Sequence, residues 1–109
     1  APCSRAEAPD HLDMRFADIH PGTVIDAGRR RVDEDEIVAF AAKYDPQPFH
    51  VDREAAAATR WGGVIASGWH TCSLAMSLAV EAVLRDSESI ASPGVEQIRW
   101  EGPVRAGDE

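Results

Sequence analysis

An aspartate and a histidine stand five residues apart in the segment YDPQPFHVD, with two prolines between them. Asp45 and His50 are side chains suited to moving protons, because histidine titrates near neutrality and a partly buried carboxylate can be tuned towards that range. The prolines stiffen the backbone, so we predict an extended segment that fixes the two groups relative to each other. The structural alternative is that Asp45-Pro46 only ends a helix and His50 lies half-exposed in a loop.

A glycine-rich segment, WGGVIASGWHT, follows at residues 61–71 and leads into an apolar stretch. Gly68 falls at the first turn of a predicted helix, where free amide groups and the helix dipole favour a developing negative oxygen. Glycine also lets a ligand approach the backbone closely. An acid–base pair and an oxyanion donor are together the parts needed to form or quench an enolate next to a carbonyl.

Four further residues near these groups are candidates for a pocket wall: Gln47, Phe49, Trp69 and His70. For His70, packing in the core or at an interface is the favoured interpretation, and for Trp69 it is a place in the core or in the pocket wall. The two cysteines do not form a C-x-x-C motif or any other metal-binding spacing, so we expect no metal and no cofactor.

The surrounding pattern predicts strands and helices in alternation. We expect a strand over 22–32, a helix over 33–44, a short helix over 52–61, a long helix from Gly68 to about residue 85, and a strand over 95–104. Asp33 and Asp52 stand at the N-cap positions of the first two helices, and Glu36 completes a capping box with Asp33. The long helix is apolar or small almost all round between residues 69 and 80, which is typical of a helix wrapped by other structure.

This order predicts an α+β fold in which an antiparallel sheet embraces a central helix. Residues 1–13 read as a flexible leader, and residues 14–109 as one domain. Two strands are too few to cover the central helix, and their open edges tend to pair. We therefore expect a dimer or larger assembly that uses residues 95–104.

The composition of the chain disfavours some classes of binding partner. The chain has 109 residues and a formal net charge of −8, which disfavours nucleic acid and anionic membrane surfaces. The longest apolar run is too short to span a bilayer, and the first ten residues lack the apolar core of a signal peptide. The sequence favours a cytoplasmic enzyme or binding protein.

The motif D-P-Q-P-F-H-V-D, followed by T-R-W-G-G-V-I-A-S-G, resembles the MaoC-like dehydratase family, which includes the (R)-specific enoyl-CoA hydratases. The resemblance covers roughly residues 22–107 and implies a hotdog fold and a homodimer joined edge to edge. It implies that Asp45 and His50 bind and activate the catalytic water, and that the amide of Gly68 holds the thioester carbonyl.

The reaction implied is syn addition of water to a trans-2-enoyl thioester, or loss of water from an (R)-3-hydroxyacyl thioester, as in fatty-acid metabolism. The thioester is carried by coenzyme A or by an acyl-carrier protein.

The sequence departs from the family pattern at four places. Gln47 replaces an asparagine, Tyr44 replaces a glycine, and Met76 replaces a serine that bonds the aspartate in some hydratases. We therefore expect Asp45 to have another partner. Family chains also continue beyond the final RAGDE with several long strands, so we expect a hotdog domain that lacks its C-terminal strands or takes them from another copy.

Two rival functions remain at this point. An acyl-CoA thioesterase on the same fold would need a carboxylate on the central helix, and the first one is Glu81, far from Gly68. A non-catalytic or truncated hotdog subunit would keep the motif without a complete site. The hydro-lyase is the favoured interpretation.

Overall fold

A computed structural model describes residues 5–6 and 15–109 of the chain. A single 3-10 turn occupies Phe16–Asp18. The remaining elements are β1 (Arg5–Ala6), β2 (Arg29–Arg30), α1 (Glu34–Tyr44), α2 (Pro48–Val51), α3 (Arg53–Ala57) and α4 (Gly68–Ala79), which continues as a π-helical turn over Val80–Leu84.

The predicted strand over 22–32 is wrong except for β2, which pairs antiparallel with β1. Gly22 and Gly28 have φ angles of 87° and 85°, outside the range of a strand. The Asp26 carboxylate also accepts a hydrogen bond from the Gly28 amide at 2.9 Å, which closes a local turn. Of the predicted flexible leader over 1–13, only β1 belongs to the described residues, and the rest lies outside them.

Helix α1 confirms the prediction for 33–44 to within one residue, and its two buried positions are Ile37 and Ala41. Asp33 is its N-cap, but its side chain makes no capping hydrogen bond among the described residues, so the predicted capping box is absent. The helix ends at the Asp45-Pro46 step as predicted, where the Asp45 amide donates to the Ala41 carbonyl at 2.8 Å.

The segment between α1 and α3 is more compact than predicted. Pro48–Val51 forms one helical turn instead of an extended backbone, because a proline at the first helical position loses no hydrogen bond and already has a helical φ. Asp52 then caps α3 as predicted, and its side chain accepts from the amides of Glu54 and Ala55 at 3.0 and 3.1 Å. Helix α3 ends at Ala57, four residues before the predicted end.

Helix α4 begins at Gly68 as predicted, but the prediction that other structure wraps it is wrong for the described residues. His70 is its one buried residue, while Trp69 and Met76 are 56% and 57% exposed. The predicted strand over 95–104 does not form either. Residues 88–103 are exposed throughout, and no backbone–backbone hydrogen bond joins 95–103 to the rest of the described chain.

The hydrophobic core lies between α1, α3 and the loop that precedes α4. Its buried members are Val32, Ile37, Ala56, Val64 and Ala66, with Phe49, Leu74 and Val104 packed against them. This core therefore fixes the loop before α4 against the segment that carries His50. No helix within the described residues is both long enough and apolar enough to span a membrane.

Candidate active site

The end of α1 and the turn of α2 bring Asp45 and His50 together. Asp45 is the C-cap of α1, and His50 lies in the single turn that follows. Their side chains touch directly, with 3.3 Å between Asp45 Oδ2 and His50 Nε2. His50 is buried, and its exposed fraction is 4%. The five-residue spacing thus forms a contacting pair, which fits proton transfer better than a simple helix stop.

The backbone of the loop before α4 fixes the orientation of the His50 ring. His50 Nδ1 lies 2.6 Å from the carbonyl oxygen of Ile65. A carbonyl oxygen can only accept, so Nδ1 carries the hydrogen and Nε2 is the nitrogen that faces Asp45. The Phe49 carbonyl accepts from the Ile65 amide at 3.1 Å, which ties the two segments together a second time.

Two hydrogen bonds hold the Asp45 carboxylate. Gln47 Nε2 donates to Oδ1 at 2.7 Å, and the Ser67 hydroxyl donates to Oδ2 at 2.8 Å. The bond from Gln47, then that from Ser67, lowers the pKa of Asp45, and the neighbouring His50 lowers it further against the opposing effect of partial burial. Asp45 is therefore ionised at neutral pH and acts as an acceptor.

Sequence reasoning expected another partner for Asp45 but did not identify Ser67. That partner stands 22 residues along the chain, at the N-cap of α4. The sequence did contain a signal for this partner. Helix α4 begins at Gly68 as predicted, so the serine directly before it lies at the end of the helix that faces Asp45. Met76, at the position of the serine in some hydratases, points into solvent with 57% of its surface exposed.

Gly68 is the first residue of α4, and its amide is one of the four that have no acceptor within the helix. Its carbonyl accepts a hydrogen bond from the indole of Trp100 at 3.0 Å. A Cβ at this position would overlap the Trp100 ring, so the close approach of the indole requires glycine here.

An open cleft of about 500 Å³ joins the site to solvent, lined by His50, Arg60, Trp61, Ile65, Gly68 and Trp100 among others. His50 and the first turn of α4 therefore face the same space. Residues 100–104 form the opposite wall, so this stretch contributes to the site although it is not a strand.

None of the four predicted pocket residues is among the described residues that line this cleft. Trp69 packs edge-on against Trp100, with 5.2 Å between ring centroids. His70 is buried and stacks on Phe40 at 4.9 Å. Burial lowers the pKa of His70, with Glu36 opposing this effect. Gln47 and Phe49, by contrast, contact Asp45 and His50 directly.

Within residues 15–109 and the pair 5–6, no group of three or more His, Cys, Asp or Glu side chains is arranged to hold a metal ion.

Comparison with known proteins identifies the family of this chain. The MaoC-like domain model matches residues 15–109, so the chain belongs to the MaoC-like domain family. The chain is 32% identical over 96 residues to the uncharacterized protein YdeM of Bacillus subtilis, covering 88% of this chain and 68% of YdeM. It is 35% identical over 94 residues to Protein MaoC of Klebsiella aerogenes, covering 85% of this chain and 28% of that protein.

A solved structure extends the comparison to the fold. The crystal structure of the MaoC-like dehydratase from Rhodospirillum rubrum superposes with a TM-score of 0.79 at 41% sequence identity. The match covers 87% of this chain and 64% of that one, so the chain spans just under two thirds of its structural relative. The described residues therefore have the fold of a corresponding part of a MaoC-like dehydratase.

Proposed function

We propose that the protein is a hydro-lyase that adds water to trans-2-enoyl thioesters, or removes it from (R)-3-hydroxyacyl thioesters, with coenzyme A as the carrier. The observation that carries this proposal is the direct contact between Asp45 Oδ2 and His50 Nε2 at 3.3 Å. His50 also lines a cleft to which the first turn of α4 contributes. Membership of the MaoC-like family and the similarity to a protein named a dehydratase support it.

The two side chains take different roles. Asp45 is ionised and has a lowered pKa, so it is a weak base that orients the water by accepting one of its hydrogens. His50 Nε2 removes the other proton as the water oxygen bonds to C3 of the enoyl group. The resulting imidazolium is stabilised by the Asp45 carboxylate beside it, and it delivers the proton to C2 on the same face. The water is thereby divided into a hydroxyl on C3 and a hydrogen on C2.

The first turn of α4 takes the charge that develops during this reaction. As C3 gains the hydroxyl, negative charge accumulates on the thioester oxygen. The Gly68 amide and the positive end of the α4 dipole stabilise that oxygen in the proposed mechanism. Gly68 lines the cleft, so the first turn of α4 borders the space where the thioester would bind.

The proposed architecture is a hotdog domain with α4 as its central helix, working in the cytoplasm as a homodimer or a larger assembly. The exposed side chains of Trp69 and Met76 on α4 support it, because a central helix has further structure to bury such groups. Analytical ultracentrifugation tests the assembly, and a folded monomer at high micromolar concentration would contradict it.

The test of function is the loss of conjugated enoyl-thioester absorbance over a panel of acyl-CoA substrates of different length. Asp45→Asn and His50→Gln are each expected to lower turnover by roughly 10²–10⁴-fold, the scale of a proton-transfer group. His20→Gln is the matched control, because His20 is exposed and lies outside the cleft lining.

Near-normal turnover in both site variants of an active enzyme would overturn the proposal. Release of free thiol without hydration would instead identify a thioesterase. Acyl-CoA binding without any turnover would identify a non-catalytic subunit.

A further inference from the structure

Ser67 has an unusual arrangement for a serine at the start of a helix. A serine at an N-cap normally accepts a hydrogen bond from an amide of the first helical turn, an interaction worth about 1 kcal/mol. Ser67 is the N-cap of α4, yet its side chain makes no such bond among the described residues. Its hydroxyl instead points across to Asp45, 22 residues earlier. The Ser67 side chain therefore contacts Asp45 in the proposed site and does not cap α4.

The donor of this contact is fully buried, and it bonds one oxygen of Asp45. Ser67 has no exposed surface, so water cannot replace its hydroxyl as the donor, and a buried hydrogen bond of this kind has a strict geometry. It donates to Asp45 Oδ2 at 2.8 Å, the same oxygen that lies 3.3 Å from His50 Nε2. The other oxygen is held by Gln47, which is exposed.

The three contacts define the plane of the carboxylate. Rotation of the Asp45 carboxylate about its terminal torsion would break the bond to Ser67. The same rotation would move Oδ2 away from His50. A bond to the ionised carboxylate also favours the charged form over the protonated form. Ser67 thus acts on both the position of Oδ2 and its charge.

We propose that Ser67 is a positioning residue that holds Asp45 Oδ2 against His50 Nε2. It takes the place of a hydroxyl donor from the middle of α4, where Met76 offers none. The role in turnover rests on the proposed function, whereas the effect on Asp45 does not. Ser67 is not itself one of the residues that line the cleft, and it makes no contact with the thioester in this proposal.

The decisive measurement is the titration of Asp45 itself, followed by carbon-13 NMR of its carboxyl group. Ser67→Ala removes the donor, so the pKa of Asp45 is expected to rise towards its ordinary value. Ser67→Thr restores a hydroxyl and is expected to return the titration towards that of the wild type. Ser73→Ala is the matched control, because Ser73 is an exposed serine of the same helix that bonds the Trp69 carbonyl.

Turnover supplies the second readout. Ser67→Ala is expected to lower kcat by roughly 10²-fold, the usual consequence of misplacing a reacting group by about 1 Å, with little change in KM. The acidic limb of the kcat/KM profile should move to higher pH together with the pKa of Asp45. A purely structural serine would lower the thermal midpoint without moving that limb.

The outcomes separate this inference from the proposed function. An Asp45 titration that is unchanged in Ser67→Ala overturns the inference, whether or not the protein turns over any thioester. A shifted titration with unchanged kcat and pH profile in an active enzyme also overturns the positioning role. If no thioester is turned over by the wild type, the proposed function fails, while a shifted Asp45 titration still supports the link between Ser67 and Asp45.

Discussion

Residues 45–68 and residues 88–103 both line the proposed cleft or lead to it, but their conformations are determined in opposite ways. The first segment contains several contacts of its own: a cap at Asp52, a helical turn at Pro48–Val51 and a histidine held by the Ile65 carbonyl. It is also joined to the core, where the Val104 carbonyl accepts from the Ala66 amide. The second segment is exposed along its whole length. Its one hydrogen bond to the first segment is that from the indole of Trp100 to Gly68.

The difference shows which kinds of structure a short stretch of chain can specify alone. Caps, turns and proline-terminated helices need partners only a few residues away. A strand needs a second strand at hydrogen-bonding distance. The β-like pattern of residues 95–104 is therefore insufficient by itself, whereas the pattern around Asp45 and His50 forms its site locally.

The largest effect that tests this comparison is on core packing. Ile65→Ala removes a side chain that is 6% exposed, so it is expected to lower the free energy of unfolding by about 2–5 kcal/mol. Ile90→Ala removes one that is 97% exposed, and the expected change is within about 0.5 kcal/mol. Urea unfolding of both variants measures the contrast. Equal losses would show that residues 88–103 are packed in solution as tightly as the loop before α4.

A smaller effect tests the local caps. Asp52→Ala removes the acceptor of the Glu54 and Ala55 amides, and it is expected to lower the free energy of unfolding by about 1 kcal/mol. Ser92→Ala, which removes a turn bond to Gly94 in the exposed segment, is expected to change it by less than about 0.5 kcal/mol. Thermal unfolding compares the two. Retention of wild-type stability in Asp52→Ala would contradict the view that the first segment is fixed by its own contacts.

The smallest expected effect concerns the predicted strand. Gln97→Pro removes an amide that has no backbone partner among the described residues, so the free energy of unfolding should change by less than about 0.5 kcal/mol. A proline inside a paired strand would instead remove a ladder hydrogen bond. A loss above about 1 kcal/mol would therefore indicate that residues 95–104 pair as a strand in solution, as their sequence pattern predicts.

Much of the helical framework could be read from the sequence, because its signals are local. The Asp45-Pro46 step ended α1, Asp52 capped α3, and Gly68 opened α4 where each was predicted. Contacts between distant segments could not be read in this way. The bond from Ser67 to Asp45 depends on how the loop before α4 packs on the core, and no periodicity or spacing encodes that packing.

The sequence pattern also could not predict that α4 is exposed in this structure. An apolar helix indicates that something must cover it, but the pattern does not say which segment or which molecule does so. Likewise, the two prolines led to the prediction of an extended segment, which is wrong over Pro48–Val51. They did not distinguish an extended backbone from the helical turn that Pro48 begins, because the proline φ suits both.

The overlap between a Cβ at residue 68 and the Trp100 ring has a consequence for how this sequence can change over generations. The two positions are 32 residues apart, yet they cannot vary independently. While an indole occupies position 100 in this arrangement, any side chain at position 68 must displace it. A smaller residue at position 100 would first have to make room for a side chain at position 68. That change would also remove the hydrogen bond to the Gly68 carbonyl. The order of substitutions is thus constrained, and Trp100→Ala before Gly68→Ala is the permissive route.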